Sequence, residues 1–493
     1  MEKSRWQKSM WLNWIKKYHL ALLITLAIVV RLLILFAGSG IFFFEQTGQI
    51  HGSTAYDEYA QNLIHTGVYG REAGIADSNI PPLYSFVLAS VYAVFGRGGL
   101  QVGLLHIALD AVTIALVYAI VRRLFVRHGV WIAALTALFY AFYPYLIFQN
   151  LSLNDTALFM MLMYTFILLM IVLRERESLD RRTVLIAILA GLILGITTLT
   201  RALLPLFALL TAIWFLFRLS LKETFLRLLP VALVSVSVLI PWMIRSYRIY
   251  DSFVAVALNT GDNLYQGANE MTVPLFRAGY DVQWSQPPPE RDPDNWFRNN
   301  QMLLDAGMEY LRTYPERIPE LLWVKFWVYW SVDITPRNNP LAGQSLVLDE
   351  SRNLLVLNDS DSELQDIDTI ATYSGTFFDR VGRPVHILYF GGLLLLALVG
   401  IGLSWREWRT VSLLWFLQMS MTIMYLIFHP SIVTAPPLTP YYLYFQLIHW
   451  SSSVLLCLHG DGQKHLCASD SPFLCVTLFV KFLGIRYITL QKP

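Results

Sequence analysis

Long apolar windows recur along this chain at 19–36, 100–121, 130–148, 156–173, 184–199, 203–217, 229–244, 385–403, 411–428 and 441–458, all but the first followed directly by a polar or basic residue. A hydrocarbon core of roughly 30 Å takes about 20 apolar residues per helix, so the pattern predicts about ten or eleven membrane-spanning helices and an all-α polytopic architecture. It divides the chain into a basic lead (1–18), a first span (19–40), a first loop (41–99), spans two to seven (100–249), a large loop (250–384), late spans (385–459) and a C-terminal segment, 460–493, without an assigned role. Both large loops contain short apolar stretches. Pro81-Pro82 precedes an apolar run to Phe95 too short to cross comfortably, and Trp323, Trp327 and Trp330 surround Lys325, which interrupts an apolar face. Both read as helices lying at the membrane interface.

Composition agrees and adds orientation. The 493 residues are 55% hydrophobic and 15% charged, outside the balance of a water-soluble domain. The net charge of +2 gives no reason to expect a nucleic-acid partner. Lys3, Arg5, Lys8, Lys16 and Lys17 lead the first span, too long and basic a lead for a signal peptide. Arg122 and Arg123, Arg174 and Arg176, Arg181 and Arg182, Arg218, Lys222 and Arg227, and Arg406 and Arg409 then fall on the same side as that lead. Basic segments stay in the cytoplasm, so the N-terminus is expected there, with both loops outside the plasma membrane. Cys457, Cys467 and Cys475 have no metal-ligand spacing and read as buried thiols.

The predicted outer rim gathers polar groups. Asp57 and Glu58 sit side by side just beyond the first span, Asp155 lies in the turn before the fourth, Arg201 joins spans five and six, and Arg245 ends span seven. A carboxylate can take a proton from an attacking hydroxyl, and an arginine fork matches phosphate. Each also has a plainer reading: a hydrated loop pair for Asp57 and Glu58, a helix cap for Asp155, snorkelling to headgroups for the arginines. Asp292-Pro293-Asp294, Asp359-Ser360-Asp361 and Asp366-Ile367-Asp368 have the look of metal sites, and His51 and His65 flank the acid pair, but no tight ligand motif joins them. A divalent metal is compatible with such side chains without being specified. A Gly-rich phosphate loop and a nucleophile elbow are both missing, which disfavours soluble nucleotide chemistry.

Tyr56-Asp57-Glu58-Tyr59, Pro81-Pro82-Leu83-Tyr84, Phe95-Gly96, Leu199-Thr200-Arg201, Pro241-Trp242 with Arg245-Ser246-Tyr247, and Gly261-Asp262-Asn263-Leu264-Tyr265 occur in an order that resembles the GT-C class of integral-membrane glycosyltransferases. Within that class it is similar to bacterial relatives of protein O-mannosyltransferases and lipid A aminoarabinose transferases, over roughly residues 19 to 430. The resemblance implies inverting transfer of a sugar from a polyprenyl-phosphate carrier to an envelope protein, lipid or glycan. It makes Asp57 the general base with Glu58 as its neighbour and Asp155 the second acid. Arg201 and Arg245, with Tyr84, Asn263 and Tyr265, would bind the donor and its phosphate. The chain departs from aminoarabinose transferases at Asn79 and Ile80, where those carry an acid and a lysine, and at Thr439-Pro440-Tyr441-Tyr442 in place of an Arg-Tyr motif. The competing readings are a transporter or flippase of a lipid-linked substrate, which would favour interrupted helices at mid-bilayer, and a non-catalytic subunit.

Overall fold

The computed structural model describes residues 2–38, 43–44, 49–50, 53–125, 129–285, 295–333, 345–349, 354–358 and 381–428. The window at 441–458, the three cysteines, Thr439 to Tyr442 and the segment 460–493 lie outside them.

The apolar runs are helical because a backbone in lipid must satisfy its own hydrogen bonds. In chain order the helices are α1 (Glu2–Gly38), α2 (Thr54–Thr66), α3 (Leu83–Phe95), α4 (Gly99–Leu124), α5 (Gly129–Ala141), α6 (Pro144–Gln149), α7 (Thr156–Glu175), α8 (Arg181–Thr198), α9 (Leu204–Leu216), α10 (Leu221–Tyr250), α11 (Thr260–Gly267), α12 (Thr272–Ala278), α13 (Trp296–Thr313), α14 (Ile318–Tyr329), α15 (Arg383–Leu403) and α16 (Trp408–Ile427). Among the described residues, 7 helical segments are long and apolar enough to cross a membrane, and α3, α5 and α9 are shorter apolar helices. Two small antiparallel hairpins, Phe43–Phe44 with Gln49–Ile50 and Ser345–Asp349 with Leu354–Asn358, decorate this all-α protein.

Two departures from the window pattern have local causes. The window at 130–148 is two helices, because Pro144 opens α6 at a position where its missing N–H costs nothing. The window at 229–244 is the middle of the much longer α10, which starts in a capping box between Ser220 and Glu223 and runs through Pro230 and Pro241.

α4 packs against α1, α5 and α7, α8 against α7 and α10, and α9 against α16. Gly191 and Gly195, one turn apart on α8, meet α10 at Val231 and Ser235 so closely that a methyl group on either would strike a backbone carbonyl. Small residues at this spacing bring helix backbones together in membranes. At one end of the bundle Arg123 pairs with Glu175 at 2.8 Å, Arg227 Nη2 donates to the Arg176 carbonyl at 2.7 Å, and Trp214 Nε1 donates to the Thr410 carbonyl at 3.2 Å. At the opposite end the Ser53 N–H donates to Leu153 O at 3.0 Å, Leu83 to Leu199 at 3.1 Å, and Leu258 to Ser78 at 2.9 Å. The basic clusters therefore gather at one end. The segments carrying Asp57, Asp155, Arg201 and Arg245 gather at the other.

Candidate active site

α2 is preceded by its N-cap Ser53, held against the turn before α7, and followed by its C-cap Gly67, whose left-handed φ of 71° lets its N–H close on the Leu63 carbonyl. Asp57 lies in the first turn of this helix. Its side chain is 3% exposed, and three residues converge on it. Tyr92 Oη donates to Oδ1 at 2.9 Å and Gln61 Nε2 to Oδ2 at 2.7 Å. Arg97 donates from Nε at 2.9 Å to Oδ1 and from Nη2 at 2.8 Å to Oδ2. The hydrogen bonds to Asp57 hold the Arg97 guanidinium above the usual arginine range. Glu58 points outward to an exposed ion pair with Arg71 at 3.0 Å.

Tyr56, next in sequence to Asp57, hydrogen-bonds Asp155, so α2 touches both acids. Asp155 is buried and paired with Arg201 through two guanidinium nitrogens, one of them Nε at 2.7 Å. Its carboxylate makes no cap to α7; Asn154 Oδ1 accepts the Thr156 N–H at 2.9 Å instead. Burial opposes the charge on Arg201, yet Asp155 and the bonds between them hold its guanidinium well above its ordinary range. Arg201 Nη1 is buried without a hydrogen-bond partner among the described residues.

Arg245 closes a neighbouring wall. Its Nη1 donates to the Asp77 carbonyl at 2.8 Å and to Ser78 Oγ at 3.1 Å, its Nη2 donates to the Tyr69 carbonyl at 2.5 Å, and its guanidinium lies over the Trp242 ring at 4.6 Å. Asp77 gathers the same loop, accepting from Tyr59 Oη and from the N–H groups of Arg71 at 2.7 Å and Asn79 at 3.1 Å. Burial first, and Asp77 second, push the Tyr59 phenol far above its ordinary range. The Asn79 carboxamide is buried with neither polar atom partnered among the described residues.

Tyr84 is fully buried beneath this layer, edge-on to Tyr56 at 4.9 Å, with its hydroxyl 2.7 Å from His106 Nε2. Asn263 and Tyr265 lie on α11, which packs against α13 with the Gly261 N–H donating to Asn300 Oδ1 at 2.7 Å. Asp57, Asp155 and Arg201 thus form one cluster through Tyr56, with Arg245 behind the adjoining loop. Arg97 and Asp77 were not singled out from the sequence, and Tyr56 appeared there only as part of a motif, with no role of its own. Arg97 carried a signal: a basic residue at an outer helix end, the same oddity that marked Arg201 and Arg245.

Among the described residues no group of three or more His, Cys, Asp or Glu side chains comes together to hold a metal ion. His65 is exposed at the end of α2, while His51 and the three Asp-x-Asp pairs lie outside the described residues.

Residues 79–244 match the family model of dolichyl-phosphate-mannose-protein mannosyltransferases. No curated protein matches the chain by sequence. Among solved structures, the chain is similar to the Archaeoglobus fulgidus oligosaccharyltransferase tethered with an acceptor peptide, at 12% identity over 96% of this chain and 54% of that one, TM-score 0.54. It matches the same archaeal enzyme in complex with an inhibitory peptide and a dolichol-phosphate at 13% identity, over 96% and 55% of the two chains, TM-score 0.53. ArnT from Cupriavidus metallidurans bound to undecaprenyl phosphate aligns at 13% identity over 87% and 77%, TM-score 0.39. The chain spans about half the length of the archaeal enzyme.

Proposed function

From a membrane protein of the GT-C fold whose residues 79–244 match a mannosyltransferase family model, we propose a glycosyltransferase that moves a sugar from a polyprenyl-phosphate carrier to a hydroxyl on the outer side of the plasma membrane. The acceptor oxygen attacks the anomeric carbon as the bond to the phosphate oxygen breaks, with inversion. The hydroxyl proton passes to Asp57, and the phosphate leaves with the bonding electrons.

The observation that carries this reading is the presence, on two elements that meet at Tyr56, of a buried, oriented carboxylate and a buried arginine with donor capacity to spare. Tyr92 and Gln61 aim the Asp57 carboxylate from α3 and α2. Arg201, kept ionised by Asp155, offers Nη1 to the departing phosphate. Arg245 adds positive charge at the adjoining wall while its Nη atoms hold the Tyr69 and Asp77 carbonyls. Glu58 and Arg71 form the exposed rim, Tyr84 supports Tyr56 from below, and Asn263 and Tyr265 belong to the outer-loop layer that would meet the donor sugar or the acceptor.

The test uses membranes, a radiolabelled polyprenyl-phosphate sugar and native envelope acceptor. Asp57→Asn should lower transfer by at least about 100-fold, the lower end for loss of a general base, with expression and insertion unchanged. Transfer retained in that variant would remove the base assignment, and movement of the donor across proteoliposomes without acceptor would favour a transporter instead.

A further inference from the structure

The Asp57–Arg97 pair is lopsided: the aspartate side chain is 3% exposed and the arginine side chain 43%. The arginine is the cover. An ionised carboxylate has about four acceptor positions. Here Oδ1 takes Tyr92 and Arg97 Nε, and Oδ2 takes Gln61 and Arg97 Nη2, with a longer Nε contact at 3.1 Å. An acceptor hydroxyl therefore finds every position occupied and the carboxylate shielded. Tyr92 and Gln61 are fixed within helices. Arg97 stands in the short loop between α3 and α4, flanked by Gly98 and by Gly96 at φ 81°. Of the three donors, Arg97 is the one that can leave. Its fork binds phosphate as readily as carboxylate, in the same two-pronged geometry.

We infer that Arg97 is a positioning residue that exchanges between Asp57 and the phosphate of an incoming lipid carrier. In the empty site it caps the carboxylate. When the phosphate arrives the fork transfers to it, and Asp57, still aimed by Tyr92 and Gln61, opens two acceptor positions to a hydroxyl. The exchange makes and breaks only hydrogen bonds and an ion pair. It rests on the reading of this chain as a polyprenyl-phosphate-dependent transferase. Because one cation serves two anions, each anion weakens the arginine's hold on the other, a reciprocal coupling of the carboxylate with the phosphate site.

That coupling has a sign that a purely structural ion pair lacks. Undecaprenyl phosphate is titrated against the full-length protein in phosphatidylcholine nanodiscs. Arg97→Gln should weaken binding by about tenfold or more, the scale of a lost charge-assisted pair, whereas Asp57→Asn should tighten it by about threefold or more. Arg97→Lys, which keeps the charge but loses the fork, should fall between wild type and Arg97→Gln, and guards against a misfolded glutamine variant. Undecaprenol should bind equally to wild type and Arg97→Gln. If both Asp57→Asn and Arg97→Gln weaken binding, or neither changes it, the exchange is overturned. If nanodiscs containing phosphatidylglycerol alone reproduce the opposed shifts, the carrier assignment is overturned. The base reading stands or falls separately: opposed shifts with transfer intact in Asp57→Asn would keep the exchange and discard the base, and shifts of one sign with transfer abolished would do the reverse.

Discussion

Asp155 shows what a buried charge demands. Its carboxylate and the Arg201 guanidinium leave water together, and the pair is tolerable only because each neutralises the other. Removing one partner strands the other, so Asp155→Ala should lower stability by about 3–5 kcal/mol, read as a fall in the detergent melting transition. Asp155→Ala/Arg201→Met should recover much of that stability while leaving transfer poor. The acids themselves were legible in the sequence, because carboxylates at the edge of an apolar chain stand out. Their partners were less so: Arg97 lies 40 residues from Asp57, and Arg201 lies 46 from Asp155, distances at which pairing is decided by how helices pack rather than by spacing. Asp155 also read equally well as a cap, and only the folded turn hands that task to Asn154.

The segment around Trp323 and Trp327 illustrates how far an element can be read. Its aromatic content marked an interfacial helix, and α14 carries both tryptophans exposed. Lys325, expected to interrupt an apolar outer face, instead turns inward and donates to the last carbonyls of α16, Leu426 at 3.1 Å and Ile427 at 3.4 Å. A lysine there caps a helix end that sequence periodicity does not reveal, since the carbonyls belong to a helix about 100 residues later. Burial brings the Lys325 ammonium down to about 7. Between that pH and about 10.4, where an unfolded lysine titrates, the unfolded chain holds a proton that the fold does not, so stability rises with pH across this window. The melting temperature of wild type should climb from pH 7 to pH 9 relative to Lys325→Met. A difference independent of pH would show that the amine is already solvated. Helix α10 makes the complementary point: its apolar centre was plain, but its reach from Leu221 to Tyr250 depends on the Ser220–Glu223 cap and on tolerance of two prolines.

At the scale of the molecule, hydrophobic windows and charge polarity go furthest. The membrane leaves the backbone few choices, so the bundle follows from the windows, and the arginine clusters share one end as the charge rule requires. The orientation this implies can be read directly. With the three native cysteines changed to serine, Ile75→Cys, exposed beside the candidate site, should react with a membrane-impermeant thiol reagent on intact cells. Leu179→Cys, exposed at the opposite end, should react only after permeabilisation. Deep in the bundle, Arg31 of α1 donates to Asp110 of α4 at 3.0 Å and to the Ala141 carbonyl at 2.6 Å, while Asn150 also donates to Asp110, at 3.1 Å. Either charge alone in a helix costs about 2.5–3.5 kcal/mol at insertion. During synthesis α1 therefore enters the bilayer carrying a debt that is cleared only when α4 follows, 79 residues behind from Arg31 to Asp110. Helix α1 must therefore wait for α4 before lateral release into lipid, and the order of insertion is coupled to the order of packing.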